Sequence, residues 1–467
     1  MKNVTRRLTA VGSPVPLPQD AMFRASLLAL VALAAPASAQ NTWRAGFAAE
    51  RITPAEPMWM SGYASRTAPA DGTESELWAK AAVLRAPDGT TFCLVTLDLV
   101  GIDRDTSRLV VKAITDKHRL PRAAVAVAVS HTHSGPVVGK NLRSMYFLDD
   151  HHAKLVDAYT DALPGRVLKA VDAAVAAVAP VTLSAGVGTA DFAVNRRENK
   201  EADVPALRAA GALKGPADHA VPVLAARDPN GALKGVVFGY ACHATVLSDL
   251  KWCADYPGFA QTELEKAHPG AVAMFWAGCG ADQNPLPRRT VELARGYGKQ
   301  LAVAVDAVLA KPMAPVGAGA SAAYREVPLP LHEVPSREAL LKQAGNANKY
   351  EAARAKHLLK QLEAPGGIPA DYPYPVQTWK LGGVTWVLLG GEVVVDYALR
   401  LKRELGDGLW VAGYANDVMA YIPSARVLRE GGYEGATSMM YYGLPSVWGP
   451  EVEERVVAEV RRQAAGK

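Results

Sequence analysis

Only four cysteines occur in 467 residues. No two of them are spaced as C-x-x-C, so neither a zinc ribbon nor a thioredoxin-type pair is available. Cys93, Cys242 and Cys279 lie inside apolar runs, where a free thiol behaves as a small buried hydrophobe. Cys242 and Cys253 are the one pair read as a possible disulfide. Blocks of lysine or arginine are missing and the formal charge is a modest +5, which argues against a nucleic-acid partner. A G-x-S-x-G elbow is absent, excluding the usual serine-hydrolase layout. The glycine-rich "GCGADQNPLPR" lacks the lysine and spacing of a P-loop, no EF-hand loop is present, and binuclear phosphoesterases would need a G-N-H-[DE] segment that does not occur. With 49% apolar and 21% charged residues, wholesale disorder is excluded as well.

Long hydrophobic runs are also scarce. The one near the N-terminus, "MFRASLLALVALAAPASA" (residues 22–39), is too short for a stable bilayer anchor. It has one arginine, an apolar centre and an Ala-Ser-Ala cleavage site, the pattern of a secretory signal. Residues 1–39 are therefore read as a signal peptide, with Met22 as an alternative start of translation. The mature chain would begin near Gln40 and be secreted or periplasmic, with no transmembrane segment. The competing reading is an N-terminal membrane anchor.

What the chain has in abundance is short apolar runs that stop abruptly at polar residues. They are "FCLVTLDLVGID" (92–103), "AVAVAVSHTHSGP" (124–136), "GVVFGYACHATVLSD" (235–249), "AVAMFWAGCGADQNP" (271–285), "TWVLLGGEVVVDYALRLKREL" (385–405) and "LWVAGYANDVMAYIP" (409–423). Such runs suit strands buried on both faces. Helical patterns intervene at residues 104–120, 153–178, 292–309, 338–362 and 450–464. Proline- and glycine-rich stretches at residues 311–319 and 364–374 read as loops. The alternation predicts an α/β fold with a mixed or mostly parallel sheet core, helices packed around it, and chemistry at the C-terminal ends of the strands.

The polar residues fall at those ends: Asp98, His131, His133, His243, Asp282 and Glu392. Two positions apart on an extended segment, His131 and His133 face one side. Either both bind one metal ion, or one binds and the other handles protons, or they are hydrogen-bonded turn residues. His243 is open to the same choice between a ligand and a satisfied turn histidine. Between an apolar strand and an apolar helix face, Glu392 must be paired, neutral or coordinated, unless it serves a helix N-terminus. Histidines and a glutamate at strand ends favour a zinc hydrolase.

A resemblance extends this reading. "GFAAERITPAEPMWMSGYASR", "LWAKAAVL", "VSHTHSGP", "GYACHATVLSD" with "ADYPGF", "GCGADQNP", "GGEVVVDYALRLK" and "YANDVMAYIP" with "GGYEGAT" follow in the order found in the catalytic domain of neutral (non-lysosomal) ceramidases. The chain resembles the bacterial stand-alone members of that family, from Trp43 onward. The resemblance implies a zinc-dependent amidase that splits ceramide, or a related N-acyl lipid, into an amine and a fatty acid. It implies one Zn²⁺ per chain, held by His131, His243, Glu392 and Tyr421. His133 would be the acid/base, Arg196 a substrate contact, and Tyr433 the tyrosine facing the scissile carbonyl. Asp98 and Asp255 are candidates to orient the histidines from behind. Residues 40–467 would form a single catalytic domain without the family's C-terminal immunoglobulin-like domain. Asn284 stands where ceramidases proper carry serine, and residues 336–362 would shape the pocket mouth. Contact with a membrane surface would be transient. The alternatives are a zinc hydrolase of a different amide or ester, or an exported binding protein without turnover.

Overall fold

The computed structural model describes residues 42–466; the expected signal peptide lies outside the described residues. Three sheets make up the body. The first runs in the order Val125–Val129, Thr91–Leu97, Trp78–Arg85, Arg44–Arg51, Ala179–Pro180. In the second the order is Val272–Ala277, Leu233–Tyr240, Ala220–Arg227, Thr182–Thr189, Ala314–Pro315. The third is Ala320–Pro330, Asp371–Leu381, Val384–Leu389, Trp410–Ala412.

Most neighbours are antiparallel, but each sheet contains one parallel pair at an edge. Cys93 to Leu97 pair with Val125 to Val129, Gly235 to Tyr240 with Val272 to Ala277, and Trp386 to Leu388 with Trp410 to Ala412. The architecture is thus the mixed alternative of the predicted α/β class. The valine- and alanine-rich strand Val125–Val129 is buried along its whole length, as parallel strands covered on both faces are. Between the sheets lies a tryptophan cluster, with Trp276, Trp379, Trp386 and Trp410 at centroid spacings of 5.2–6.4 Å.

Three isolated bridges draw the parallel edges together: Thr132 with Ala244, Ala128 with Ala415, and Gly278 with Ala412. Each bridge joins a segment at or beyond one strand's C-terminal end to one from another strand. Side chains leaving those ends are therefore delivered to one place, as open α/β sheets deliver their ligand-binding groups.

Helices cover the sheets, with N-caps where short polar side chains precede them. Asp103 accepts from the amides of Asp105 and Thr106 ahead of Arg104–His118, and Asp149 from that of His152 ahead of Asp150–Ala176. Two expectations fail locally. The helix expected over residues 338–362 is two, Arg337–Gln343 and Lys349–Glu363, because Asn348 caps a new start through the amides of Tyr350 and Glu351. The loop expected at residues 364–374 gives way to strand Asp371–Leu381, paired along its full length with Ala320–Pro330. Pro373 and Pro375 are tolerated because pairing on the strand's other side begins only at Val376. The possible Cys242–Cys253 disulfide is not formed either. All four cysteines are free and buried, and the Cys253 sulfur instead receives hydrogen bonds from Ser75 Oγ and the Asp255 amide, both at 3.3 Å.

Candidate metal centre

His131 follows the strand Val125–Val129 with a left-handed backbone, φ 59°, a conformation uncommon outside glycine and one that persists where its surroundings impose it. Its Nδ1 lies 2.6 Å from the Val100 carbonyl oxygen. As that oxygen only accepts, Nδ1 carries the proton and Nε2 presents a lone pair. His243, beyond the strand Leu233–Tyr240, repeats the device with Nδ1 2.8 Å from the Gly280 carbonyl. Backbone carbonyls, not the suggested Asp98 and Asp255, therefore orient both rings. Asp98 accepts from the Trp78 amide, and Asp255 from the amides of Leu247 and Tyr256.

Glu392 completes the core of the site. Gly390 and Gly391 allow the chain to turn there. Gly391 has φ +72° and no room for a Cβ, which would stand 2.6 Å from Ile422 Cγ1. Oε1 of Glu392 accepts a hydrogen bond from the Tyr442 hydroxyl. Oε2 is buried without any hydrogen-bond donor, yet lies 3.1 Å from Nε2 of both His131 and His243. Burial favours the neutral carboxyl, and only positive charge at the two histidine edges draws Glu392 well below the usual carboxylate range; with both rings neutral, a bound cation would supply that charge. The helix-terminus reading of Glu392 is set aside by Asp282, whose Oδ1 takes the first amide of the helix, Val395, at 2.8 Å.

Tyr421 pairs in register with Glu392 in a two-residue parallel bridge. Its hydroxyl lies 3.4 Å from His243 Nε2 and receives a 3.1 Å bond from Arg196. Arg196 in turn is gripped by Glu434 at 2.7 Å and reaches Asn284 Oδ1 at 3.2 Å. The residue standing in for the family serine thus helps aim the arginine. Glu434 also binds Arg197 at 2.7 Å, and the two guanidiniums keep it below its ordinary range against the effect of burial.

His133 stands at the front. Nε2 lies 3.1 Å from His131 Nε2, and Nδ1 has no partner. Burial and the neighbouring His131 and His243 hold its pKa well down, so the ring is neutral near pH 7. Burial and Arg196 bring that of His243 to about 4. The His133 ring packs on Tyr63 at a centroid distance of 4.8 Å and directly against Gly62. His133, Tyr421, Arg196 and the half-exposed Tyr433 line a cavity of about 710 Å³, whereas His131, His243 and Glu392 lie behind that wall.

All seven predicted site residues are therefore neighbours. Sequence reasoning missed Gly62, Tyr63, Tyr442 and Glu434. Glu434 carried a signal, being adjacent to Tyr433 in "GGYEG"; Gly62 and Tyr63 had none beyond their place in a matching motif, and Tyr442, outside every such motif, had none.

The donor set fits a divalent metal ion. Two imidazole lone pairs and an ionised carboxylate oxygen converge with no proton among them, an arrangement that only a cation makes favourable. The candidate nitrogens of His131, His133 and His243 all lie within 4.8 Å of one another.

Fold and site together define a mixed α/β protein with a buried cluster of histidine, carboxylate and phenol side chains in which a metal ion could be held. The family model described as neutral/alkaline non-lysosomal ceramidase, N-terminal, matches residues 43–278, and the chain belongs to that family. The match takes in His131, His133, Arg196 and His243 and ends before Glu392. Likeness of fold continues further. Neutral ceramidase from Pseudomonas aeruginosa superposes with a TM-score of 0.71 at 20% identity, over 91% of this chain and 74% of that one. A ceramidase complexed with C2 gives 0.68 at 19%, over 90% and 76%. No curated protein sequence matches.

Proposed function

We propose that this chain is a zinc-dependent amidohydrolase that cleaves the N-acyl bond of ceramide or a related N-acyl lipid. The observation that carries the reading is the bare Glu392 Oε2, 3.1 Å from two histidine nitrogens whose protons are committed elsewhere. His131, His243, Glu392 and Tyr421 would hold one Zn²⁺. Nitrogen and oxygen donors of this kind, with one position left for water or substrate, suit zinc. Bound zinc would supply Lewis acidity, acidifying water and polarising the acyl carbonyl.

The chain's own groups do the rest. His133 Nε2, at the boundary between the buried donors and the cavity, takes the proton of the attacking water and returns it to the departing amine nitrogen. Its lowered pKa keeps it a free base near neutrality. Tyr433 on the cavity wall donates a hydrogen bond from its hydroxyl to the carbonyl oxygen as negative charge develops there, keeping its proton. Arg196 holds the Tyr421 oxygen in place and is itself held by Glu434. Export rests on the signal pattern at residues 22–39, with residues 40–467 acting as one catalytic domain. Among the described residues no helix is long and apolar enough to cross a membrane.

A second reading is favoured by the cations that also line the cavity: Arg197 is paired with Glu430 and Glu434 and Arg288 with Glu201, but Lys200 and Arg289 have no carboxylate partner among the described residues. These two suit an N-acyl compound with a polar or anionic amine half. The deciding experiment is elemental analysis of the purified mature protein together with cleavage of a fluorogenic ceramide, with and without chelator. Near-stoichiometric zinc and chelator-sensitive cleavage are expected. Zinc without ceramide cleavage would move the substrate to the second reading, and no metal would refute the zinc mechanism.

A further inference from the structure

Each of the four groups placed at the metal centre is held from behind by one partner. The Val100 and Gly280 carbonyls take the Nδ1 protons of His131 and His243, and Arg196 bonds the Tyr421 hydroxyl. Glu392 is held by Tyr442, whose hydroxyl supplies the one hydrogen bond that Oε1 receives among the described residues. Tyr442 is buried, and its ring also meets that of Tyr421 edge-on at a centroid distance of 6.5 Å. One side chain thus reaches two of the four candidate ligands without lining the cavity that holds His133 and Tyr433.

The backbone fixes Tyr442 in place. Helix Met439–Tyr442 ends at Gly443, where a φ of +77° turns the chain away and a Cβ would stand 3.1 Å from Arg143 Cδ. The Ser144 amide bonds the Tyr441 carbonyl at 3.1 Å, tying the helix to the loop that precedes Asp150–Ala176. Behind Tyr442 lies a second cavity of about 310 Å³, which it lines together with Arg143, His357, Tyr372 and Asp417. Glu392 is only 3% exposed and lines neither cavity, so water does not stand in for the phenol.

We infer that Tyr442 is a positioning residue that keeps Glu392 a one-oxygen ligand and so leaves a metal position open for water or substrate. The inference rests on the zinc amidohydrolase reading. Oε2 faces the two histidine nitrogens at 3.1 Å while Oε1 is committed to the phenol, so the carboxylate offers one of its two oxygens. Carboxylates otherwise bind cations through either one oxygen or both. Without the hydroxyl, Oε1 would be bare and buried, which is costly, and the space of one oxygen atom is too small to admit a water molecule. Turning the carboxylate toward the cation satisfies Oε1 and fills the position that the attacking water needs. Tyr433 and Tyr442 lie on one helical run over residues 433–442. A single segment therefore places the phenol that faces the carbonyl and the phenol that sets the ligand.

The test is Tyr442→Phe, which removes the hydroxyl and keeps the ring, loaded with Co²⁺ in place of zinc. Visible absorption of Co²⁺ weakens as its coordination number rises, so the variant should absorb more weakly than wild type at equal cobalt content. Loaded with zinc, it should keep one ion per chain and an unchanged KM for the fluorogenic ceramide, while kcat falls about 10- to 100-fold. A ring that only filled space would move neither the spectrum nor kcat on losing one oxygen. An unchanged cobalt spectrum would overturn the inference. A fall in kcat that tracked loss of metal would overturn it too, making Tyr442 a determinant of affinity alone. Circular dichroism of the metal-free variant is the control for folding, and an unfolded variant would assign the hydroxyl to stability and overturn the inference. Wild-type protein that binds neither zinc nor cobalt would refute the zinc reading and this inference with it. Wild-type protein that binds cobalt but cleaves no N-acyl lipid would refute the proposed substrate, and a weaker spectrum in the variant would still establish the role of Tyr442.

Discussion

Gly62→Ala is the substitution whose outcome the geometry specifies most closely. A Cβ at residue 62 would lie 2.5 Å from His133 Nδ1 and 2.6 Å from Cγ, where ordinary contact begins near 3.4 Å. The ring would have to retreat by about 1 Å, and a misplacement of that size at a catalytic group costs about a hundredfold in rate. The neighbouring backbone cannot move to relieve it. Arg66 clamps the Ser61 and His133 carbonyls together at 2.6 and 2.7 Å, and the Ser61 amide bonds the Gly135 carbonyl. Gly62 also has φ +100°, which costs an alanine about 1–2 kcal/mol, and overpacking adds about 1–3 kcal/mol. The variant should therefore be destabilised by about 2–5 kcal/mol, lose about a hundredfold in kcat, and keep one zinc per chain, because the ring that residue 62 displaces is that of His133 and not of His131 or His243. Urea unfolding, metal analysis and steady-state kinetics on the same preparation check all three. Unchanged kcat would refute the placement of His133 as the proton-transfer group, and loss of zinc would make His133 a ligand.

His131→Ala and Glu392→Ala should each bring zinc well below one per chain and abolish cleavage; full turnover in either would refute the site. Glu434→Gln leaves Arg196 and Arg197 without their shared carboxylate and should cost about 2–3 kcal/mol. As the folded pKa of Glu434 lies below its ordinary 4.5, its stabilisation is complete above that pH and lost as the pH falls through the folded value. Acid unfolding of the variant, followed by circular dichroism, should accordingly be less steep. Burial raises Asp98, Asp255 and Asp282 to about 6, and Asp417 to about 7. The folded chain thus holds protons that the unfolded chain releases near 3.8, and its stability should fall as pH rises from about 4 to about 7. Urea midpoints of the chelated protein across that range test this, and Asp98→Asn should flatten the slope. Thiol titration in denaturant without reductant should find four free cysteines; two would restore the disulfide.

Much of the centre was legible because it depends on local pattern. An apolar strand that ends in His-Thr-His places polar groups at its tip whatever the fold around it, and the same holds for "YACHATV" and "LLGGEVV". Relations across the chain left no such trace. The prolines of residues 371–375 read as a loop because their tolerance depends on where a neighbouring strand begins to pair. The orienting partners of the histidines were misassigned to Asp98 and Asp255 because a backbone carbonyl has no signature in sequence. Glu392 was equally compatible with serving a helix until Asp282, 110 positions earlier, proved to hold that amide.

The sequence by itself therefore determined the α/β class, the strand ends that bear His131, His133, His243 and Glu392, and the kind of chemistry those side chains can perform. Hydrophobic periodicity and side-chain chemistry are properties of short stretches, and they survive in one dimension. Only the tertiary structure decided that three separate parallel edges meet at one point, that Glu392 Oε2 faces two nitrogens with no proton between them, and that Gly62 must be bare for His133 to fit. It alone brought the Tyr442 hydroxyl to Glu392 Oε1. Those are statements about distances between residues tens to hundreds of positions apart, set by how whole sheets pack, and no local pattern encodes them.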